Sequence, residues 1–209
     1  PNSAIIGAPD TRVPYFEQAL FAFYRNNIIP AVRNIGGLGI ISDKGILNLS
    51  IVMNKPKDNF SINEGYELMT SFIKAIFPEG ADKIEAVEIA NSYCPGDYDL
   101  SIDGKKFAGI AQRKIKEAVV VSIYISIFGD QQKRANIMKD FYEIGIDDQE
   151  VRYKYPKVDP ECMETLENLL NKKFTLEDVF ERVEKVLYGL DCDLEKGEYT
   201  EAMVEEYNA

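Results

Sequence analysis

The segment from Ala118 to Phe128 constrains the fold more than any other part of the sequence. Val119, Val121, Ile123, Ile125 and Ile127 fall on one face of an extended chain, and the intervening residues fall on the other. This period of two predicts a β-strand. Asp103-Gly104, slightly upstream, is a dipeptide that favours a type I′ hairpin turn. It predicts a hairpin between strands over Tyr98–Ile102 and Lys105–Arg113.

Further strands and helices are predicted before and after this region. The additional strands are Ser3–Gly7, Ala31–Asn34, Leu38–Ser42, Ile46–Met53 and Ile84–Ile89. The helices are Pro14–Asn26, a segment from the Ser61–Glu64 capping box to Phe77, and Gln131–Ile144 with Gly145 as the C′ residue. The pattern predicts an α+β fold in which a mixed β-sheet packs against helices.

Charge divides the chain into two parts. Residues 1–145 carry a net charge of −1, whereas residues 146–209 carry −10. The second part predicts helices over Glu161–Leu170 and from Thr175 onward. We therefore expect a near-neutral body, residues 1–145, and an acidic helical C-terminal extension, residues 146–209.

Composition excludes several classes of function. The chain has no histidine, which excludes Ser-His-Asp and Cys-His nucleophiles, a histidine general base, and histidine-ligated metal sites. A net charge of −11 disfavours binding to nucleic acid or to an anionic membrane. The three cysteines, without a CxxC spacing, favour reduced thiols, and the N-terminus does not resemble a secretory signal. We expect a cytoplasmic protein.

Cys94 is the first candidate for chemistry. It precedes Pro95-Gly96, which predicts a loop between two strands. An isolated cysteine in a loop is more often a small buried apolar residue than a nucleophile. A nucleophilic cysteine needs an adjacent base or cation, and without histidine a lysine is the natural partner. Lys105 and Lys106 point to opposite faces of their strand, and spacing alone does not choose between them.

Two other features stand out. Arg33 to Gly39 is glycine-rich and allows close approach of the backbone to a ligand, but it has neither dinucleotide-binding nor P-loop spacing. Five basic residues lie between positions 105 and 116, which indicates either a solvated strand end or a surface that attracts an acidic partner. Cys162 and Cys192 lie in the acidic part and are interpreted as structural or incidental.

Several of these segments, taken in order, resemble the biotin/lipoate protein ligase superfamily. Arg33–Ser50 resembles the signature R-x-x-G-G-G followed by H-D-x-G-x-L-N-x-S, and Gly104–Arg113 resembles G-K-K-(I/F)-x-G-x-(A/S)-Q-R. The loop Ser92–Ile102 makes the chain most similar to the octanoyl-H protein:protein octanoyltransferase branch. Leu38 and Ser42 replace a glycine and a histidine of the superfamily signature, which weakens an ATP-dependent ligase interpretation.

The resemblance implies an overall organisation and an activity. Residues 1–145 would form the catalytic domain of the superfamily, beginning inside the fold, because family members carry another strand and helix before the position of Pro1. The activity would move an octanoyl group from the octanoyl-H protein of the glycine cleavage system to lysines of the lipoyl domains of 2-oxoacid dehydrogenase E2 subunits. It would need neither a cofactor nor a metal.

The resemblance also assigns roles to residues. Cys94 would form an acyl-thioester, and Lys106, which matches the reactive-site lysine of the family, would act as general acid and base. The residues implied in acyl or substrate binding are Arg33, Gly36, Gly37, Tyr93 and Gly109. Backbone N–H groups near Gly36 and Gly37 could form an oxyanion hole.

Two alternatives remain open. In an ATP-dependent lipoate–protein ligase, Lys106 would bind an acyl-adenylate and Cys94 would be idle. In a non-enzymatic binding protein for lipoyl domains, Cys94 would be a buried thiol that reacts slowly with alkylating reagents. The presence of a cysteine in a loop where the ligases need none favours the transferase.

Overall fold

The computed structural model describes residues 2–54, 60–190 and 193–208. Within these ranges the strands form two sheets. The smaller sheet consists of β1 (Ser3–Ile6), β2 (Ile29–Val32) and β3 (Ile40–Ser42). Strand β1 lies in the centre, parallel to β2 and antiparallel to β3. This sheet is therefore mixed, as expected.

The larger sheet is antiparallel throughout. Its strands are β4 (Ile46–Asn54), β5 (Glu85–Ala86), β6 (Leu100–Ile102), β7 (Lys105–Ile115) and β8 (Ala118–Ser126). Their order across the sheet is β4-β8-β7-β6-β5. The long strand predicted from the alternating pattern, β8, lies between β4 and β7 and pairs with both.

Seven helices accompany the sheets in the described part of the chain. They are α1 (Phe16–Ala19), α2 (Phe21–Tyr24), α3 (Ile62–Ile76), α4 (Gln131–Ile146), α5 (Leu166–Leu169), α6 (Leu176–Tyr188) and α7 (Glu201–Asn208). Helices α1, α2 and α4 contact one another beside the smaller sheet, whereas α3 contacts α6, β7 and β8. None of the described helices combines the length and apolar character needed to span a membrane.

Several local signals are confirmed. Asp103 and Gly104 both have positive φ, 52° and 74°, as a type I′ turn requires. Both capping boxes form: Ser61 and Glu64 begin α3, and Thr175 begins α6. Each cap satisfies N–H groups that the first helical turn leaves unpaired.

The end of α4 differs from the prediction. Gly145 is not the C′ residue, because the helix continues to Ile146 and Asp147 adopts the left-handed conformation with φ of 43°. Gly145 instead lies buried in the last turn, where an added Cβ would lie 2.8 Å from Val13 Cγ2. Close packing requires the glycine here, and aspartate is one of the few other residues that tolerates the left-handed region.

Other boundaries also shift. The predicted helix Pro14–Asn26 is divided into α1 and α2, and its end tightens through i→i−3 bonds such as Asn26 N to Phe23 O. The predicted helix Glu161–Leu170 is interrupted at Met163, whose backbone is extended and bridges to Lys106. The strand predicted over Ile84–Ile89 is only two residues long.

Two hydrophobic cores lie on either side of the larger sheet. The first contains Phe23, Tyr93 and Phe141, and the second contains Met69, Phe77 and Phe107. The acidic part of the chain contributes to both: Val158 and Met163 pack in the first core, and Leu166, Phe174 and Val179 pack in the second. Residues 193–205 are exposed. The domain boundary after residue 145 stays a prediction.

Candidate active site

Cys94 lies in the loop between β5 and β6, as predicted. Its backbone is left-handed, with φ of 48°. A residue other than glycine, asparagine or aspartate rarely adopts this conformation, and such strain persists only where the surrounding structure enforces it. The loop therefore holds Cys94 in a conformation that an isolated chain would avoid.

The sulfur of Cys94 faces the glycine-rich segment that follows β2. The Leu38 N–H donates to Sγ at 3.2 Å, and Nη2 of Arg33 lies 3.5 Å from Sγ. Arg33 Nη2 also donates to the Leu38 carbonyl at 2.8 Å, which holds the guanidinium in place. A hydrogen-bond donor and a positive charge next to the sulfur stabilise a thiolate.

Gly37 allows this approach. Its φ is 99°, and an added Cβ would lie 2.4 Å from Arg33 Nη2 and 3.1 Å from Cys94 Sγ. A side chain at this position would therefore separate Arg33 from Cys94. Gly36 is different, because an added Cβ there meets nothing within 4 Å.

Lys106, rather than Lys105, points towards the Cys94 loop. Lys106 is fully buried, whereas Lys105 is partly exposed. Lys106 Nζ donates to Ser92 Oγ at 3.0 Å, to the Tyr93 carbonyl at 3.0 Å and to the Cys94 carbonyl at 2.7 Å. These acceptors suit an ammonium group, which has three N–H donors.

Asp99 completes the environment of Lys106. Its Oδ1 lies 2.9 Å from Lys106 Nζ, and both side chains are almost fully buried. Burial raises the pKa of Asp99, and the charge and hydrogen bond of Lys106 oppose that rise. No motif in the sequence gives Asp99 a role. The sequence signal is that Asp99 directly precedes the apolar strand Leu100–Ile102. A charged side chain that is buried at such a position needs a partner.

A cavity of about 180 Å³ opens beside the sulfur. Its walls include Arg33, Gly36, Gly37, Cys94, Gly109 and Tyr124. At Gly109 an added Cβ would lie 2.7 Å from Tyr124 Cε1 and 3.5 Å from Lys106 Nζ, so glycine keeps this wall open. The cavity brings together five of the seven residues expected at the site.

A second cavity of about 180 Å³ shares part of this wall. Arg33, Gly109, Ala111 and Tyr124 border both cavities. The other residues of the second cavity include the apolar side chains of Ile5, Ile40, Leu49 and Ile123. Apolar space of this kind accommodates an alkyl chain.

Tyr93 lies behind the site. It is fully buried, stacks on Tyr124 with ring centroids 5.8 Å apart, and its hydroxyl accepts from Gln131 Nε2 at 3.1 Å. Burial raises its pKa to about 12, so the hydroxyl is neutral. Tyr93 anchors the Cys94 loop in the first core, and its expected contact with the acyl group stays a prediction.

Asp10 helps to position the glycine-rich segment through its contact with Gly7. This buried carboxyl accepts from the Gly7 N–H at 2.7 Å and from the Tyr142 hydroxyl at 2.9 Å. An added Cβ at Gly7 would lie 1.9 Å from the Gly37 carbonyl oxygen, so the two segments are in direct contact. Burial raises the pKa of Asp10 to about 6, although these hydrogen bonds and Arg33 act in the opposite direction.

The remaining basic and cysteine residues are spread over different environments. Lys106 is buried, Arg113 donates to the Asn34 carbonyl, and Lys114 and Lys116 are exposed. Cys162 lies outside the cavity, and burial raises its pKa to about 11. Cys192 lies outside the described residues.

Comparison with known proteins identifies close relatives. The family model described as lipoyl protein ligase A/B catalytic domain matches residues 1–188. An octanoyl-[GcvH]:protein N-octanoyltransferase of Lysinibacillus sphaericus is 45% identical over 188 residues, which cover 90% of this chain and 68% of the relative. A protein of the same name from Macrococcus caseolyticus is 40% identical, covering 98% of this chain and 74% of the relative.

Solved structures of low sequence identity confirm the fold class. A lipoate-protein ligase A bound with ATP superposes with a TM-score of 0.70 at 19% identity, covering 98% of this chain and 75% of that one. A putative lipoate protein ligase from Thermoplasma acidophilum with bound lipoic acid gives a TM-score of 0.67 at 19% identity over the same shares. The chain therefore belongs to the lipoyl protein ligase A/B catalytic domain family and, within it, to the octanoyl-[GcvH]:protein N-octanoyltransferases.

Proposed function

We propose that this protein N-octanoyltransferase carries the octanoyl group as a thioester on Cys94 while moving it from one protein lysine to another. The observation that carries the proposal is the environment of Cys94 Sγ. It borders a cavity, accepts a hydrogen bond from Leu38 N at 3.2 Å and lies 3.5 Å from a guanidinium nitrogen. Such a sulfur is suited to nucleophilic attack.

The reaction proceeds in two acyl transfers. The thiolate attacks the carbonyl carbon of the donor's octanoyl-lysine amide and forms an S–C bond, while the carbonyl electron pair moves to oxygen. The carbonyl then re-forms as the C–N bond breaks, and the donor lysine leaves as an amine after it takes up a proton. The acceptor lysine amine attacks the thioester carbonyl carbon, an N–C bond forms as the S–C bond breaks, and the thiolate is released. The proton that the attacking amine loses goes to Lys106, which replaces the proton given to the leaving amine of the donor. One amide replaces another, so ATP is not needed.

Lys106 has two roles in this scheme. Its ammonium group holds the Tyr93 and Cys94 carbonyls and thereby keeps the loop in its strained conformation. It also lies 3.5 Å from the Cβ position of Gly109, at the cavity wall, where a proton is needed by the leaving amine. Asp99 keeps the charge of Lys106 balanced in this buried position.

The second cavity provides room for the octanoyl chain. It shares Arg33, Gly109, Ala111 and Tyr124 with the cavity at the sulfur. An alkyl chain bound there would leave its carbonyl carbon beside Cys94. Exclusion of water from this space would protect the thioester from hydrolysis.

The names of the relatives support the donor, and the family resemblance implies the acceptors. We propose octanoyl-H protein as donor and the lipoyl domains of 2-oxoacid dehydrogenase E2 subunits as acceptors. Exposed lysines of the β7–β8 hairpin, Lys114 and Lys116, would attract acidic partners. A free thiol at Cys94 is maintained in a reducing compartment, and we therefore place the reaction in the cytoplasm.

Intact-mass spectrometry after mixing the full chain with octanoyl-H protein, without ATP, tests the proposal. We expect the mass to increase by one octanoyl group. Hydroxylamine should remove this group, and adding a lipoyl domain should transfer it to that domain. Cys94→Ser should abolish the adduct. Cys162→Ser is the matched control, because Cys162 is a free cysteine outside the cavity, and it should leave the adduct unchanged.

Two results would contradict the thioester route. One is octanoyl transfer at the unaltered rate by Cys94→Ser. The other is the absence of an adduct together with product formation from octanoate and ATP, which would identify an ATP-dependent ligase in which Cys94 has no role.

A further inference from the structure

We infer that Arg33 is a catalytic residue of this transferase. Its Nη2 stabilises the Cys94 thiolate, and its Nε–H binds the oxygen of the tetrahedral intermediate. The inference rests on the proposed thioester route. Arg33 Nη2 lies 3.5 Å from Cys94 Sγ. Arg33 Nε is buried and has no hydrogen-bond partner among the described residues.

The charges around the sulfur favour Arg33 over Lys106 as the stabilising cation. The positive charge of Lys106 is matched by Asp99 at 2.9 Å, and its Nζ donates to the backbone of Cys94. Arg33 donates to a neutral carbonyl, that of Leu38, and to the sulfur. Asp10 interacts electrostatically with Arg33, but its own carboxyl is occupied by Gly7 and Tyr142.

Three buried or half-buried tyrosines also surround the sulfur, and Asp97, which is exposed, acts on one of them, Tyr66. Burial raises the pKa of Tyr66, Tyr124 and Tyr142, and the charge of Cys94 contributes to each rise. These hydroxyls are therefore neutral where the enzyme works. They leave Arg33 as the positive charge that directly faces the sulfur within the described residues.

The unpartnered Nε–H points to a ligand. A buried donor without an acceptor costs free energy, so this group calls for an acceptor, and at the wall of a cavity a bound ligand can supply one. Arg33 borders both the cavity at the sulfur and the apolar cavity. An acyl carbonyl at the junction of the two cavities would place its oxygen against the guanidinium, as an oxyanion hole requires.

Two measurements on Arg33→Gln and Arg33→Lys test this role. The first is the rate at which iodoacetamide alkylates the Cys94 peptide, followed by mass spectrometry across a pH series. The second is the single-turnover rate of Cys94 octanoylation by octanoyl-H protein. Arg25→Gln is the control, because Arg25 pairs with Asp140 on the surface and lies outside both cavities.

We expect Arg33→Gln to move the pH of half-maximal alkylation upward, since a nearby positive charge favours the thiolate. Arg33→Lys keeps the charge and should move it by less than Arg33→Gln does. Arg33→Lys should octanoylate about 10²- to 10³-fold more slowly, because a methylene group replaces the Nε–H donor. Arg33→Gln keeps an amide N–H at the ε position, and its octanoylation should be slower because the positive charge beside the sulfur is lost. Arg25→Gln should change neither quantity.

Several outcomes would overturn the inference. If the Arg33→Gln midpoint coincides with that of Arg25→Gln while octanoylation slows, Arg33 acts only by holding Leu38. If Arg33→Lys shifts the midpoint as far as Arg33→Gln, charge is not the cause. If Arg33→Lys octanoylates at the unaltered rate, the Nε–H does not bind the oxyanion.

The test separates this inference from the proposed function. An unaltered chain that forms no octanoyl adduct, although Arg33→Gln still shifts the alkylation midpoint, contradicts the thioester route and supports the thiolate assignment. An adduct that forms normally without any midpoint shift supports the route and contradicts the assignment.

Discussion

Lys106 Nζ donates to the backbone carbonyl of Cys94 at 2.7 Å, so the buried lysine holds the main chain of this cysteine. Arg33 and the Leu38 N–H, by contrast, hold its sulfur. Lys106 and Arg33 therefore act on different parts of Cys94. Lys106 maintains the backbone conformation of the loop, and Arg33 lies beside the Cys94 sulfur.

Removing Lys106 alone should destabilise the protein. Lys106→Met leaves the buried Asp99 carboxylate without its positively charged partner, although the Ile89 N–H still donates to it at 3.2 Å. An unpaired buried charge costs about 3–5 kcal/mol. Urea unfolding should show this loss, and Asp99→Asn in the Lys106→Met background should recover part of it. A single variant as stable as the unaltered chain would contradict the buried ion pair.

The left-handed backbone of Cys94 predicts an unusual preference for glycine. Cys94→Ala and Cys94→Gly both remove the sulfur, but only glycine adopts a φ of 48° without strain. We expect the glycine variant to be more stable than the alanine variant by about 1 kcal/mol. Thermal and urea unfolding of the two variants measure the difference. A more stable alanine variant would show that the loop is not strained at this position.

Gly37 should be far less tolerant of alanine than its neighbour. Gly37→Ala introduces a methyl group 2.4 Å from Arg33 Nη2 at a φ of 99°. Displacing a catalytic group by about 1 Å costs roughly 10²-fold in rate, so we expect a loss of that order in Cys94 octanoylation. Gly36→Ala is the comparison, since its methyl group meets no protein atom within 4 Å. Equal losses in the two variants would contradict the assigned geometry.

Asp10 should make stability depend on pH. Burial raises its pKa to about 6 from 3.8, so the folded protein binds this proton more tightly than the unfolded chain does. The stabilising contribution of Asp10 to the free energy of unfolding is therefore greatest below about pH 4, and it falls as the pH rises to about 6. The full difference amounts to about 3 kcal/mol.

Asp10→Asn isolates this effect. The variant lacks the titrating group, so the difference in unfolding free energy between it and the unaltered chain should change between pH 4 and pH 6 and be constant above. Urea unfolding at successive pH values gives both curves. Curves that run parallel across this range would show that the pKa of Asp10 is not raised.

Local signals predicted the parts of this fold that depend on neighbouring residues. The Asp103-Gly104 turn, the Ser61 capping box and the alternating strand β8 all form, because short-range sterics and hydrogen bonds decide them. Gly145 shows the limit of such rules. Its position at the end of a helix resembles a C′ site, but contact with Val13, which is remote in sequence, requires a glycine inside the last turn.

The same difference between local and long-range effects applies to the candidate site. Cys94, Lys106 and the glycine-rich segment could be identified from residue types and from the family resemblance. The choice between Lys105 and Lys106 follows from strand alternation only once the sheet faces are known. Asp10 and Asp99 were not predicted, because each becomes important only through burial among residues that are distant in sequence.

The sulfur of Cys94 lies where segments from the two sheets meet. Arg33 and Leu38 belong to the connection between β2 and β3 of the smaller sheet, whereas Lys106 and the Cys94 loop belong to the larger one. A chain in which either core has opened therefore contains only an ordinary cysteine. The donors at the sulfur, Arg33 and the Leu38 N–H, are therefore present only in a chain in which both sheets have formed and packed together.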